Sequence, residues 1–192
     1  MNKEERIREN LQEPEFRLVG LDRFSYPLYR DEVVSLYLNA YTTGEPPQYI
    51  DPLEGEQVLD AAMRYGFGRM AFIGQRLIGA LIAMPLARHG DFPSVSVPNL
   101  DTRTALYIAE VMVHADFRGS GIGTVLMEEI LSRTAGYSSA VIRVWEENHP
   151  AWNLYRKLGF RPIAATTQVK QRTRDEMFNA RKIYLHCFID SD

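Results

Sequence analysis

Residues 118–124 are the segment whose residue types and spacing point most clearly to a chemical role. They read Arg118, Gly119, Ser120, Gly121, Ile122, Gly123 and Thr124. The segment follows an apolar, strand-like run, Leu106–Val113, and leads into an amphipathic helical pattern. A helix that begins here gathers free backbone N–H groups and the positive end of its dipole at one point. Glycines also allow a ligand to approach the backbone closely. The segment therefore predicts a binding site for a phosphate or pyrophosphate group.

Two common phosphate-binding patterns do not fit this segment. A Walker A loop needs a lysine after its last glycine, and none follows here. The dinucleotide fingerprint G-x-G-x-x-G also fails, because its sixth position is Thr124 counted from Gly119 and Leu126 counted from Gly121. The spacing that fits is R-x-x-G-x-G after a strand. An ordinary glycine-rich turn between a strand and a helix is the structural alternative.

A second segment combines an asparagine and a tyrosine around a predicted helix start. The strand-like run Ala140–Trp145 is followed by Asn148, His149 and Pro150. Proline suits the first turn of a helix, and Asn148 or His149 is placed to cap it. The spacing of four later residues predicts one buried helix face: Ala151, Leu154, Tyr155 and Leu158. Gly159 then predicts the end of the helix.

Together the two segments resemble the diagnostic motifs of the GNAT superfamily of N-acetyltransferases. Residues 111–123 resemble its acetyl-CoA-binding motif, with Ala115 where many members have proline. Asn148 and Tyr155 match a family asparagine that contacts CoA and a tyrosine, seven residues later, that lies near the cofactor sulfur. The ending L-Y-x-x-L-G-F is intact at residues 154–160. The resemblance covers roughly residues 16–190, although only residues 105–160 carry diagnostic motifs.

The resemblance implies an enzyme that transfers an acetyl group from acetyl-CoA, its cosubstrate, to a primary amine by direct transfer in a ternary complex. In the family the backbone of the fourth strand binds pantetheine, and here that place belongs to Val111, Met112 and Val113. The amides of Gly119–Thr124 would hold the pyrophosphate. Arg118 would add a charge-assisted contact, although a solvated loop arginine fits its position equally well.

Tyr155 is the predicted general acid. A thiol titrates near pH 8.5 and a tyrosine near pH 10, so a phenol can protonate a leaving thiolate. The spacing of Tyr155 alone favours a core tyrosine, and only its pairing with Asn148 favours the catalytic interpretation.

Glu110 is the predicted general base. Regular alternation would place Leu106, Ile108, Glu110 and Met112 on one face of the strand. Desolvation on such an apolar face would raise the pKa of the carboxyl towards the value of a useful base. A solvated or salt-bridged glutamate is an equal alternative, and deprotonation through water would make any single base dispensable.

The acceptor pocket follows from the family's first helices and the connection between them. It points here to Tyr37, Tyr41, Glu45 and Tyr49. Glu146 and Glu147 would favour a cationic amine if they face that pocket, whereas a solvated acidic cluster is the alternative. Small amines, amino acids, antibiotics, peptide N-termini and protein lysines all remain open as acceptors, so the partner is a small-molecule or peptide amine.

Composition narrows the other possible roles of the chain. With 192 residues, of which 45% are hydrophobic and 24% charged, it is typical of one globular domain. A net charge of −3 does not favour nucleic acid. The single cysteine, Cys187, excludes an intrachain disulfide and fits a reducing cytoplasm. No apolar run reaches the length of a membrane span, and the N-terminus lacks the apolar region of a signal peptide. A homodimer remains possible.

The histidines give no metal-binding pattern. The chain has four of them: His89, His114, His149 and His186. No two have the spacing of metal ligands, so we expect no metal.

The predicted elements form a single α/β domain. After a polar arm, residues 1–15, the pattern predicts a strand, two helices, a hairpin, a strand, a helix, a strand, a helix and a final hairpin. The predicted bounds of the elements not yet given are Phe16–Val19, Tyr29–Tyr41, Gly55–Tyr65, Arg69–Ile73, Leu77–Met84, Phe160–Val169 and Arg181–Ile189, with a charged connection Lys170–Asn179. This order predicts a GNAT-like mixed β-sheet over residues 16–190, with helices on both faces.

Three interpretations are compatible with these patterns. The first is an acetyl-CoA-dependent N-acetyltransferase, and the second is a non-catalytic GNAT-fold module that binds CoA as a sensor or interaction partner. The third is an unrelated nucleotide-binding α/β protein. Retention of both Asn148 and Tyr155 favours the first over the second, because a sensor needs no proton donor. The missing Walker lysine and the broken dinucleotide pattern disfavour the third.

Overall fold

The computed structural model describes residues 16–44, 47–133 and 135–189. The predicted polar arm, residues 1–15, lies outside this part of the chain. The strands are β1 Phe16–Leu21, β2 Phe67–Ile73, β3 Arg76–Pro85, β4 Ala105–Val113, β5 Ser139–Trp145, β6 Arg161–Gln171 and β7 Met177–Phe188. The helices are α1 Tyr26–Thr42, α2 Pro52–Met63, α3 Ile122–Ser132 and α4 His149–Lys157. The predicted order of elements is confirmed.

The strands form one mixed sheet in the order β1-β2-β3-β4-β5-β7-β6. Every neighbouring pair is antiparallel except β4 and β5, which are parallel and are connected through α3. The last strand, β7, lies between β5 and β6, so that the final hairpin brings two more strands beside β5.

Hydrophobic side chains are buried on both faces of the sheet. On one face α3 and α4 form a core with the sheet that includes Ile108, Leu126 and Phe160. On the other face α1 and α2 cover a second core that includes Val33 and Ile82. The predicted α/β fold, with helices on both faces, is therefore confirmed. No helix within the described ranges is long and apolar enough to cross a membrane.

The two parallel strands separate halfway along their length. Pairing joins Ala105–Ile108 of β4 to Ser139–Ile142 of β5. Beyond these pairs both strands continue, β4 to Val113 and β5 to Trp145, without pairing to each other in the described chain. A gap therefore opens in the sheet, and the backbone groups of one edge of β4 face it. We refer to this opening as the β4–β5 gap.

A β-bulge in β4 changes which side chains share a face. Ile82 of β3 pairs with Glu110 and Ala83 pairs with Ile108, so that Ala109 is an extra residue. Ile108 belongs to the core under α3 and α4, whereas the Ile82–Glu110 pair lies on the α1 and α2 side. The prediction that Leu106, Ile108, Glu110 and Met112 share one face was wrong, because the bulge moves Glu110 and Met112 to the opposite face.

The final hairpin extends further than predicted. Strand β6 continues to Gln171 and β7 begins at Met177, so that residues 172–176 alone connect them. The charged stretch Lys170–Asn179 was predicted to lie outside the strands. Its ends are strand because each continues the antiparallel register of the pair, as in Lys170 opposite Phe178.

Candidate active site

The loop before α3 has the backbone shape that a phosphate-binding turn requires. Gly121 lies immediately before the helix with φ of 94°, and Gly119 has φ of 77°. Both values lie in the left-handed region that side-chain-bearing residues rarely adopt. No side chain caps the first turn of α3, and although the N–H of Thr124 donates to the carbonyl of Gly121 at 3.0 Å, those of Ile122 and Gly123 have no hydrogen-bond partner in the described part of the chain. These are donors that a pyrophosphate could use.

Gly123 allows the first turn of α3 to pack closely on α4. A Cβ atom at this position would lie 3.3 Å from Cδ2 of Leu154 and 3.7 Å from Cγ2 of Val113. The first contact is tight, and a larger side chain would push the start of α3 away from α4 and from the end of β4. The glycine loop, α4 and β4 thus meet beside the β4–β5 gap, and this arrangement fits a nucleotide-linked thioester such as acetyl-CoA.

The Arg118 guanidinium contacts the end of α1 in this structure. It donates to the carbonyl oxygens of Ala40 and Thr43, both at 2.7 Å, and to the Thr43 hydroxyl at 2.8 Å. Cations at the C-terminal end of a helix stabilise its last carbonyl groups. Arg118 therefore joins α1 to the glycine loop, and its predicted contact with pyrophosphate stays a prediction.

Asn148 caps α4 through its side chain. Its Oδ1 accepts a hydrogen bond from the backbone N–H of Ala151 at 3.2 Å. The predicted buried face of the helix, residues 151, 154, 155 and 158, packs on the core under α3 and α4, and Gly159 ends the helix with φ of 87°. The helix prediction is confirmed, whereas the contact between Asn148 and CoA stays a prediction.

Tyr155 is buried in the core under α3 and α4. Its side chain packs against Phe160, with the ring centroids 6.1 Å apart. Burial raises the pKa of its hydroxyl, and the negative charge of Glu110 raises it further. The phenol therefore carries its proton across the physiological pH range. The side chains of Tyr155 and Glu110 belong to opposite faces of the sheet.

Glu110 accepts a hydrogen bond from the hydroxyl of Tyr41, with 2.5 Å between the oxygens. Burial raises the pKa of this carboxyl and outweighs the hydrogen bond from Tyr41, which lowers it. The sequence also predicted a raised pKa for Glu110, but the surroundings of its carboxyl differ from those predicted. Instead of an apolar strand face, Glu110 faces tyrosines of α1 and, from the other strands, cationic side chains described below.

The predicted acceptor residues surround Glu110 only in part. Tyr37 is buried, and its ring lies 4.8 Å from that of Tyr41. Tyr49 lies on the connection between α1 and α2, where its N–H donates to the carbonyl of Gln171 at 3.0 Å. This bond joins the connection to the end of β6. The fourth predicted residue, Glu45, lies outside the described residues.

Three cations on the same face of the sheet were missed by sequence analysis. They are Arg143 on β5, Lys170 on β6 and Lys182 on β7, and all are half-buried. A signal was present on β6, where the polar residues Thr166, Gln168 and Lys170 are half-buried, whereas the apolar residues Ala165, before them, and Val169, between the last two, are exposed. This pattern reverses the usual one and indicates a polar surface inside the fold.

The two acidic residues that suggested a cationic acceptor lie elsewhere. Glu146 forms an ion pair with Arg181 at 2.5 Å, and both side chains are about half exposed. Glu147 is exposed to solvent. The structure thus favours the solvated acidic cluster over a role in the acceptor pocket.

Two of the histidines, His89 and His114, have polar contacts that give them a structural role. His89 stacks on Tyr107 at 3.9 Å, and its Nε2 lies 3.0 Å from the Tyr184 hydroxyl. Burial lowers the pKa of His89 to about 4, so it is neutral at physiological pH. His114 contacts Arg76 and Asp116. Among the described residues no three His, Cys, Asp or Glu side chains are arranged to hold a metal ion.

Known proteins share this architecture. An acetyltransferase of Salmonella typhimurium, solved with its cofactor acetyl-CoA, superposes with a TM-score of 0.64 over 93% of this chain and 96% of its own, at 15% identity. An uncharacterized N-acetyltransferase of Methanocaldococcus jannaschii is 33% identical over 66 residues, which are 33% of this chain and 29% of that protein. The mycothiol acetyltransferase of Acidothermus cellulolyticus is 38% identical over 72 residues, 36% of this chain and 20% of that protein. The matched segments thus span less than a third of these two relatives.

The Acetyltransferase (GNAT) family matches residues 30–160. This range includes the glycine loop, the β4–β5 gap and α4. The match to this family excludes the third interpretation, an unrelated nucleotide-binding protein. The chain belongs to the GNAT family of acetyltransferases.

Proposed function

We propose that this protein transfers an acetyl group from acetyl-CoA to a primary amine, directly and within a ternary complex. The observation that supports the proposal is that Glu110 lies two residues beyond the last β4–β5 pair on one face of the sheet, while Tyr155 of α4 is buried in the core on the other face. The charge of Glu110 also contributes to the raised pKa of Tyr155. A proton acceptor on one side and a proton donor on the other are the two groups that such a transfer needs.

The cofactor side of the gap is assigned to the backbone. The edge of β4 at Val111, Met112 and Val113 would hold pantetheine, and the amides of Gly119–Thr124 would hold the pyrophosphate. Asn148 would contact CoA from the start of α4. When bound, acetyl-CoA supplies an acetyl group activated as a thioester.

Glu110 would take a proton from the acceptor ammonium, so that the neutral amine nitrogen can attack the acetyl carbonyl. Its raised pKa makes it a stronger base than an ordinary carboxylate. As the bond between carbonyl carbon and sulfur breaks, Tyr155 would give its proton to the sulfur. Because burial raises the pKa of Tyr155, the phenol keeps its proton until negative charge develops beside it.

The experiment combines purified protein, acetyl-CoA and a panel of primary amines. We expect CoA thiol and N-acetylated amine to appear in equal amounts. Initial rates measured over both concentrations should give intersecting reciprocal plots, because both substrates must be bound before transfer. Parallel plots would contradict direct transfer. Binding of acetyl-CoA without an acetylated product from any amine would contradict the enzymatic proposal.

The proposal includes a cytoplasmic location. The single cysteine, Cys187, is buried and is compatible with a reducing compartment. A homodimer also stays a proposal, and sedimentation velocity of the purified protein measures it directly.

A further inference from the structure

A cluster of cations lies on the sheet face that carries Glu110. Arg143, Lys170 and Lys182 come from three adjacent strands, β5, β6 and β7. Arg143 is paired with Tyr184, two residues from Lys182 on β7, and Lys182 is paired with Thr166, four residues from Lys170 on β6. Lys170 and Arg143 also lower the pKa of Lys182. The Lys182 ammonium also lies 5.5 Å from the ring centroid of Trp145, which holds it over the sheet. We refer to these three side chains as the cation cluster.

The cation cluster has too few anions to balance it. Among the described residues no carboxylate lies within 4.0 Å of the ammonium of Lys170 or Lys182. Arg143 has a carboxylate at 3.8 Å, but it belongs to Asp91, whose side chain is 74% exposed. Glu110 faces the cluster, and its own pKa is raised by burial. Partly buried cations cost free energy unless they are paired, so the cluster is suited to an anion that comes from outside the chain.

Two neutral side chains beside the cluster also have unused hydrogen-bonding capacity. Thr166 and Gln168 lie on the same face of β6 as Lys170. The hydroxyl oxygen of Thr166 and the Oε1 of Gln168 are inaccessible to solvent and have no hydrogen-bond partner in the described part of the chain. Buried polar atoms normally have partners. Their position indicates that this surface receives a polar ligand rather than an apolar one.

We propose that the acceptor is a primary amine that also carries an anionic oxygen group, a carboxylate or a phosphate, and that the cation cluster binds this group while the amine faces Glu110. The inference rests on the proposed function and names its substrate class. Arginine binds carboxylate and phosphate through two parallel hydrogen bonds, and the two lysines add charge. A diamine or a neutral amine would leave the cluster unpaired.

The test compares amines that differ only in the anionic group. Glycine, β-alanine and γ-aminobutyrate are each paired with the carboxamide of the same length, and aminoalkylphosphonates of matching length represent the phosphate class. For the best chain length we expect kcat/KM to be at least about tenfold higher for the anionic amine than for its carboxamide. Whether carboxylates or phosphonates are faster identifies the anion.

Lysine variants connect this selectivity to the cluster. Lys182→Gln removes one charge, and we expect it to reduce the ratio of kcat/KM for an anionic amine to that for its carboxamide by about tenfold. Lys157→Gln, an exposed position on α4, removes the same charge away from the cluster and should leave the preference intact. Equal or faster acetylation of the carboxamides by the wild-type enzyme would overturn the inference while leaving the proposed function standing.

Binding of the acetylated products gives a readout without turnover. Calorimetry with N-acetylated carboxylates should show affinity that weakens as the pH rises through about 8, the pKa of Lys182. The charged groups around Lys182 are Lys170, Arg143 and Glu110, and Lys182 loses its charge in this range. The acetylated carboxamides and the Lys182→Gln variant should lack the step. If the acetylated carboxylates bind in a way that depends on Lys182 but no amine is acetylated, the anion site is correct and the proposed function is wrong. Binding that does not change with pH would contradict the anion site.

Discussion

Two opposing influences set the basicity of Glu110. Burial destabilises its charged form and raises the pKa, whereas the hydrogen bond donated by Tyr41 and the positive charges of the cation cluster stabilise the charged form and lower it. Burial has the larger effect. The carboxylate of Glu110 therefore accepts a proton more readily than that of an exposed glutamate.

Replacing Glu110 by glutamine should lower the rate of acetyl transfer mainly at neutral pH. The amide cannot accept the proton of an ammonium, but at high pH more of the acceptor amine is already neutral, so activity should partly recover. The measurement is kcat/KM against pH, with the exposed Glu147→Gln as the control. A profile identical to that of the wild type would remove Glu110 from the mechanism.

Tyr41→Phe tests the same carboxylate through its neighbour. Without the hydrogen bond the charged form of Glu110 loses a stabilising contact, and the pKa of its carboxyl rises. The acidic limb of the kcat/KM profile should therefore move to higher pH, because a base works only when deprotonated. A limb that stays in place, or moves to lower pH, would show that Tyr41 does not tune the base.

At the level of elements, sequence patterns predicted the helices, strands and turns that are determined by neighbouring residues. Strand β4, the glycine turn, α3 and α4 were found from hydrophobic periodicity and from residues such as Gly121 and Pro150 that favour a turn or a helix start. The orientation of Glu110 was not found. An alternating pattern has no marker for an extra residue, and the bulge at Ala109 depends on pairing with β3, which is 20 or more residues away in sequence.

The sequence patterns also did not predict which side chains contact elements that are distant along the chain. Arg118 was predicted to contact a ligand, whereas in this structure it caps α1, an element about 75 residues earlier in the chain. The cation cluster combines residues from three strands, and only their order in the sheet brings them together. The polar residues at positions 166, 168 and 170 of β6 alternate in the sequence as well. The charged residues that follow made this part of the chain look like a connection.

The glycine turn should be needed for binding CoA. Gly121→Asp places a side chain at a left-handed backbone position and a negative charge where pyrophosphate is expected, so CoA affinity should be lost. Calorimetry on the folded variant measures it.

Gly136→Asp is the matched control for this variant. Gly136 also has positive φ, of 90°, but it follows α3 at the far end from the turn. It should lose stability through the same backbone strain and still bind CoA. Wild-type affinity in Gly121→Asp would refute the assignment of the turn.

At the scale of the whole molecule, the β4–β5 gap separates two kinds of surface. The glycine turn, α3 and α4 lie on one face and offer mainly backbone groups. The first two helices lie on the other face, where the tyrosines of α1 and side chains of β4–β7 offer hydroxyl groups, Glu110 and the cation cluster. A gap between them allows a thioester and an amine to meet from opposite faces, which is why we propose direct transfer.

Acetyl-CoA should stabilise the entire domain, because its proposed contacts join α3, α4 and the edge of β4. A ligand at 100 times its dissociation constant adds about 2.7 kcal/mol. For a chain of 192 residues this corresponds to a rise in Tm of about 5–10 °C. Thermal unfolding with and without acetyl-CoA measures the shift, and the Gly121→Asp variant should show none. An unchanged wild-type Tm at saturating acetyl-CoA would contradict the proposed site.

The central claim is that acetyl transfer takes place at the β4–β5 gap, with Tyr155 supplying the proton to the leaving sulfur. Tyr155→Phe keeps the ring and its packing on Phe160 and removes only the hydroxyl. The control, Tyr65→Phe, removes an exposed hydroxyl from a residue outside the site.

The measurement is kcat of Tyr155→Phe, made together with thermal unfolding and acetyl-CoA affinity on the same preparation. We predict a fall in kcat of about 10²–10⁴-fold when chemistry limits turnover, with stability and affinity close to those of the wild type. A variant with wild-type kcat, or one that loses stability while its turnover is kept, would contradict the account.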